Sequence, residues 1–272
     1  MKVGDGRSEH VLSMSQVNEH VVQPHSIHAA QCYQSEEAAL VQNAGRFLGD
    51  GLAFGRSLVI IATPSHRIAL VNELKLIGAL SKPDYAGRLL LLDAGDTLVR
   101  LQTAGEPDAR RFDATVGATI REAMDRNRTR GVRAYGEMVG ELWKAKRYAA
   151  AARLEELWND LRASIDLDLF CAYPFDIFSE PFDANATAAL LNEHTHLMSD
   201  ASSGLKDSAL HNAFDEIVGT SAGTLADQVR AFQHPEWASM PATEATIVWL
   251  WHTMPDRAPA ILELARRYAA ST

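Results

Sequence analysis

From His28 onward the chain alternates short apolar runs with longer stretches in which apolar residues recur every three or four positions. His28-Ala29-Ala30-Gln31-Cys32-Tyr33 reads as a first strand, and Ser35-Glu36-Glu37 as a helix start with acids in its first turn. Val41, Ala44, Leu48 and Leu52 then form one helical face, and Gly49, Gly51 and Gly55 are expected to end that helix. Leu58 to Ala62 is a continuous β-branched and apolar run, the sign of a strand covered on both faces. A helix follows Thr63-Pro64 to about Leu80, with Ile68, Val71 and Leu74 predicted inward. A third strand, Arg88 to Asp93, ends on a carboxylate. The next helix has Phe112, Val116, Ile120 and Ala123 on one face. Val132 to Met138 reads as a fourth strand, and the long helix behind it turns Leu154, Leu157, Trp158 and Leu161 inward. Asp168 to Tyr173 is a fifth strand, closed by Pro174.

Strands that alternate with helices and are too short and apolar to face water predict an α/β fold with a mostly parallel sheet flanked by helices. Right-handed crossovers then place the strand carboxyl ends on one edge, where ligands of open α/β sheets sit. Residues 1–27 carry no period and read as an N-terminal arm, 28–182 as the α/β core, and 183–272 as a helical C-terminal extension. In that extension Ile247-Val248-Trp249-Leu250-Trp251 is apolar nearly all round. It must either pack on the core or leave a patch for another chain, which makes Trp249 and Trp251 candidates for a dimer or partner contact.

Composition narrows the function. Lys+Arg 26 against Asp+Glu 35, a net charge of −9, argues against a broad grip on nucleic acid. No apolar stretch approaches the roughly 18–20 residues of a membrane helix, and residues 1–28 lack the apolar core of a signal peptide. Two cysteines, both in strand-like settings, fit reduced thiols and a cytoplasmic protein.

The familiar catalytic signatures are missing. The junction after the first strand, Tyr33-Gln34-Ser35-Glu36-Glu37, has neither the glycines nor the lysine that cradle a phosphate, and its acids repel a triphosphate. Gly49-Asp50-Gly51-Leu52-Ala53-Phe54-Gly55-Arg56 enters a strand rather than leaving one, at the wrong sheet edge. No nucleophile elbow, Cys-x-x-Cys or His-Glu-x-x-His string occurs. His194-Thr195-His196 invites a metal reading, but in a helical pattern residues i and i+2 point apart, so no metal is expected.

Several strings together resemble the MEDS domain, the sensory domain named for methanogens, methylotrophs and a dichloromethane-responsive repressor. They are His28 to Tyr33, Ile60 to His66, Leu92-Asp93-Ala94, Tyr135 to Trp143, Leu154 to Asn159 and Cys171 to Pro174, in matching order over about 28–198. The resemblance implies a RecA-like core with a degenerate phosphate loop. It also implies a sensing role, commonly beside a histidine kinase or a DNA-binding segment in transcription regulation. No kinase ATP-binding signature and no basic N-terminal reader accompany it in this sequence.

The expectation is therefore a non-catalytic cytoplasmic sensor that binds a small organic effector at the strand carboxyl edge. Its ligand-binding candidates are His28, Tyr33, Thr63, His66, Asp93, Glu137, Trp143 and Tyr173. Glu137 stands where an active RecA-like ATPase holds its magnesium-binding acid; without a phosphate loop it orients a ligand or, more plainly, is a satisfied polar group. Trp143 and Tyr135 are expected to wall a pocket beside it, or to be core aromatics. No cofactor, nucleic acid or membrane contact is expected. The signal is expected to pass to a partner protein, a kinase or regulator, with a homodimer as one form of that contact. The alternatives are an ATP-using or other nucleotide-binding enzyme with an unorthodox loop, and a ligand-free scaffold. Cys32 and Cys171, near the ends of adjacent strands in a RecA-type order, are expected close together in the core as reduced thiols near the pocket.

Overall fold

The computed structural model describes residues 27–33, 37–82, 85, 87–174, 194–198, 203–219, 222–232 and 242–271. Six parallel strands form one sheet in the order β3-β2-β6-β7-β1-β8. They are β1 His28–Cys32, β2 Ser57–Ala62, β3 Leu89–Asp93, β6 Val132–Gly136, β7 Leu167–Tyr173 and β8 His196–Leu197. A small antiparallel hairpin, β4 Gln102–Thr103 and β5 Glu106–Pro107, stands apart from it. Every residue of β2, β6 and β7 is buried, as their apolar runs require of central strands.

One face of the sheet is covered by α1 Glu37–Ala53 and α2 Pro64–Leu76. The other is covered by α3 Ala94–Leu101, α4 Ala109–Phe112, a π turn Asp113–Gly117, α5 Ala118–Asn127, α6 Met138–Lys144 and α7 Tyr148–Ser164. Phe112, Val116, Ile120 and Ala123 are buried as their spacing predicts, and so are Leu154, Leu157, Trp158 and Leu161. Four further helices follow: α8 Ser203–Val218, α9 Ala222–Phe232, α10 Ala242–Thr253 and α11 Ala258–Ala270. The first and fifth long strands, β1 and β7, are neighbours, as a RecA-type order requires. Ala30 pairs with Cys171 and Cys32 with Tyr173, so the two cysteines face the same side of the sheet one diagonal step apart. Cys171 is buried and Cys32 partly so.

Five expectations are corrected. Gly49 and Gly51 lie inside α1 rather than at its end, and only Gly55, at φ 77°, follows it. Gly51 is needed for close approach, since a Cβ there would lie 2.7 Å from Cδ of Arg133. In α2 the inward residues are His66, Leu70 and Leu74, while Ile68 is 66% exposed. The reason is lateral: β3 is an edge strand, so Ile68 and Val71 overhang it and line a shallow groove with Leu91. The fourth strand stops at Gly136, because Glu137 turns the chain and Met138 begins a helix. The helix behind it is two helices, broken where Lys146 takes a positive φ of 57°. Finally, His194 to Met198 is not helical. It contains β8, which extends the sheet beyond β1.

In the helical extension Trp249 is 4% exposed, packed 5.8 Å from the ring of Phe214, and Trp251 is partly buried. The extension's buried side chains are continuous with the core layer on the α6–α7 side. The apolar bulk of Ile247 to Leu250 is thus hidden within the chain. Among the described residues no helix is long and apolar enough to cross a membrane.

Candidate functional site

Glu137 follows the last residue of β6 and is 3% exposed. Its backbone N–H bonds to the Ile61 carbonyl, which fixes it beside the end of β2. There the carboxylate collects three donors. Thr63 N–H donates to Oε2 at 2.7 Å, the Tyr135 hydroxyl donates to Oε1 at 2.8 Å, and Nδ1 of His66 bonds Oε1 as well. His66 sits in the first turn of α2, immediately behind Thr63-Pro64, so the proline-started helix aims it at the strand end. Nε2 of His66 lies 3.2 Å from the exposed carboxylate of Glu37, and its ring meets Tyr33 edge-on at 5.7 Å. Tyr33, Thr63, His66 and Glu137 therefore converge, with Tyr135 as a fifth member, at the carboxyl edge on the α1–α2 face.

The electrostatics follow from that packing. The hydrogen bond to Glu137 raises the His66 pKa above 6.5; burial opposes this, and the charges of Glu137 and Glu37 reinforce it. Burial and the Glu137 charge both push the Tyr33 and Tyr135 hydroxyls up, so both stay neutral donors. Because the His66 pKa is raised on folding, its contribution to stability is full below about pH 6.5 and is lost as pH rises through the folded value. The stability difference between wild type and His66→Gln should accordingly shrink between pH 6 and pH 9. Denaturant titrations at both pH values check this, and a difference that stays constant would contradict it.

Four other expected site residues lie elsewhere. Asp93 closes β3, caps α3 through a 3.0 Å bond from Asp96 N–H, and pairs with Arg67 at 3.1 Å. Trp143 is a core aromatic on the opposite face from Tyr135, with Tyr148 at 4.8 Å and Tyr173 at 6.2 Å, so the two do not wall a common pocket.

His28 and Tyr173 belong to a second buried cluster, between β1, β7 and α7. His28 Nε2 lies 3.4 Å from Glu155 Oε2 and 3.6 Å from Cys171 Sγ. His194 Nε2 is 3.6 Å from Glu155 Oε1, to which the Tyr173 hydroxyl donates a hydrogen bond. The ring centroids of His28 and His194 lie 4.1 Å apart, the planes tilted by 40°. Burial first, then the charge of Glu155, raises the Cys171 and Tyr173 pKa values well above their ordinary range.

Glu155 is absent from the candidates the sequence offers, and His194 enters there only as a metal ligand set aside on a helical reading. Glu155 was in principle visible, since it stands four residues after the inward Ala151 and three before the inward Trp158. His194 was masked by the helical texture around it.

The MEDS family, described as the methanogen/methylotroph, DcmR sensory domain, matches residues 27–195. No curated protein matches the chain. The matched span takes in both clusters and covers more than half of the 272 residues. The chain belongs to the MEDS family of sensory domains.

Proposed function

We propose that the protein is a non-catalytic cytoplasmic sensor that reads a small organic effector at the carboxyl edge of the sheet and signals through protein contacts. The observation that carries this reading is the His66–Glu137 pair, buried at the ends of β2 and β6 with Tyr33 beside it. The carboxyl edge is where open α/β sheets take ligands. The acids there, Glu37, Glu137 and Glu141, act together on Tyr33. Their charge favours a neutral or cationic molecule over a nucleotide, whose phosphates they repel. Reduced Cys32 and Cys171 fit a cytoplasmic setting. For output, the groove at the β3 edge with exposed Ile68 and Leu91 offers apolar surface for a kinase, a regulator or a second copy.

A thermal-shift screen against small neutral and cationic organics, and against ATP with Mg²⁺, tests the reading. A ligand at about a hundredfold its Kd stabilises the fold by about 2.7 kcal/mol, a shift of several degrees. An organic hit with no shift from ATP and no phosphate release is the expected result. An ATP shift with turnover that disappears in Glu137→Gln would favour the nucleotide-using enzyme instead.

A further inference from the structure

We propose that His28, Glu155, Cys171 and His194 hold a divalent metal ion of the zinc class, tetrahedrally coordinated between the sheet and α7. Their ligand atoms all lie within 4.8 Å of one another, and all four residues are buried. Both separations measured from His28 fit the edges of a tetrahedron, and a bound ion would draw the other ligands in. Zinc bonds of about 2.0–2.3 Å put neighbouring donors of a tetrahedron about 3.3–3.7 Å apart. The separations are 3.4 Å for His28 Nε2 to Glu155 Oε2 and 3.6 Å for His28 Nε2 to Cys171 Sγ, and the remaining pairs stay within 4.8 Å.

The donor chemistry points the same way. Two imidazoles, a thiolate and a carboxylate suit zinc and its neighbours, whereas calcium and magnesium take oxygen. A thiolate and a carboxylate with a dication sum to zero charge, which is the condition for burying a charged cluster. As the Sγ–metal bond forms, the thiol proton leaves to solvent.

Glu155 Oε2 is buried, faces His28 Nε2 at 3.4 Å and makes no hydrogen bond of good geometry among the described residues, which leaves it available to a cation. Its partner oxygen is held by the Tyr173 hydroxyl, the kind of outer support that orients a ligating carboxylate. Four protein ligands close the site, so the ion is structural. It ties β1, α7 and β7 to the segment that enters β8.

The test is metal analysis and cobalt substitution of the full chain. Protein refolded with Co²⁺ should bind about one ion per chain, with the intense visible bands of tetrahedral cobalt and a near-ultraviolet thiolate-to-cobalt band. Cys171→Ser should lose the thiolate band and Cys32→Ser should keep it. The chain has two cysteines, so if Cys171→Ser fails to fold by circular dichroism, a band surviving in Cys32→Ser still identifies Cys171. A wild type that takes up no cobalt, or a thiolate band lost in Cys32→Ser, would overturn the proposal.

Discussion

Arg133→Ala should lower stability by about 3–5 kcal/mol, a large share of what a domain of this kind possesses. Arg133 and Asp168 are register partners on the central strands β6 and β7, 8% and 4% exposed, with Nε 3.0 Å from Oδ2. Neither charge stands alone. The guanidinium also donates to the Phe47 carbonyl at 2.6 Å and lies over the Phe47 ring at 4.8 Å. The carboxylate accepts from Ile27 N–H at 2.9 Å and has Arg56 at 3.6 Å. Removing one partner leaves the other charged in a dry place, which is costlier than removing both. The double variant Arg133→Met/Asp168→Leu should therefore lose much less than the sum of the single variants. Urea unfolding of the four proteins measures this, and simple additivity would show that the pair is not coupled.

Gly140→Ala should destabilise by about 3 kcal/mol, even though alanine is the better helix former by about 1 kcal/mol. Gly140 is in α6, and a Cβ there would sit 2.2 Å from the Ala172 carbonyl oxygen and 2.8 Å from Cδ of Pro174. Backbone cannot rotate aside as a side chain can, so α6 must lift off the end of β7. Gly204→Ala, in α8, meets nothing within 4 Å among the described residues and should be neutral or mildly stabilising. Thermal melts of both variants decide it; equal melting temperatures would mean that α6 does not press on β7 as described.

The sheet was legible in the sequence because five short, mostly apolar runs alternate with helices, which leaves few topologies. What such runs do not encode is lateral position. Leu89 to Leu92 reads like a buried strand, yet it is the edge, and Leu91 is 45% exposed. The inward face of α2 went astray for the same reason, and a polar residue, His66, proved to lie on it. The β8 strand, two residues long, is too short for any periodicity to show. Of the expected site residues, Tyr33, Thr63, His66 and Glu137 were reachable because each stands at a strand end or helix start. His28 and Tyr173 fell on the other face because residues of a strand point alternately to opposite sides. Their partners Glu155 and His194 come from a helix and a distant extended segment, a convergence that only the tertiary fold creates.

An effector bound at the proposed His66–Glu137 site must lose affinity when that pair is broken. Isothermal titration of the strongest thermal-shift hit into wild type, His66→Gln and Trp143→Phe tests it most directly, since Trp143 lies on the opposite face. Affinity should weaken about tenfold or more in His66→Gln, a loss of about 1.4 kcal/mol or more, and stay unchanged in Trp143→Phe. Equal affinity in wild type and His66→Gln, or a loss confined to Trp143→Phe, would contradict it.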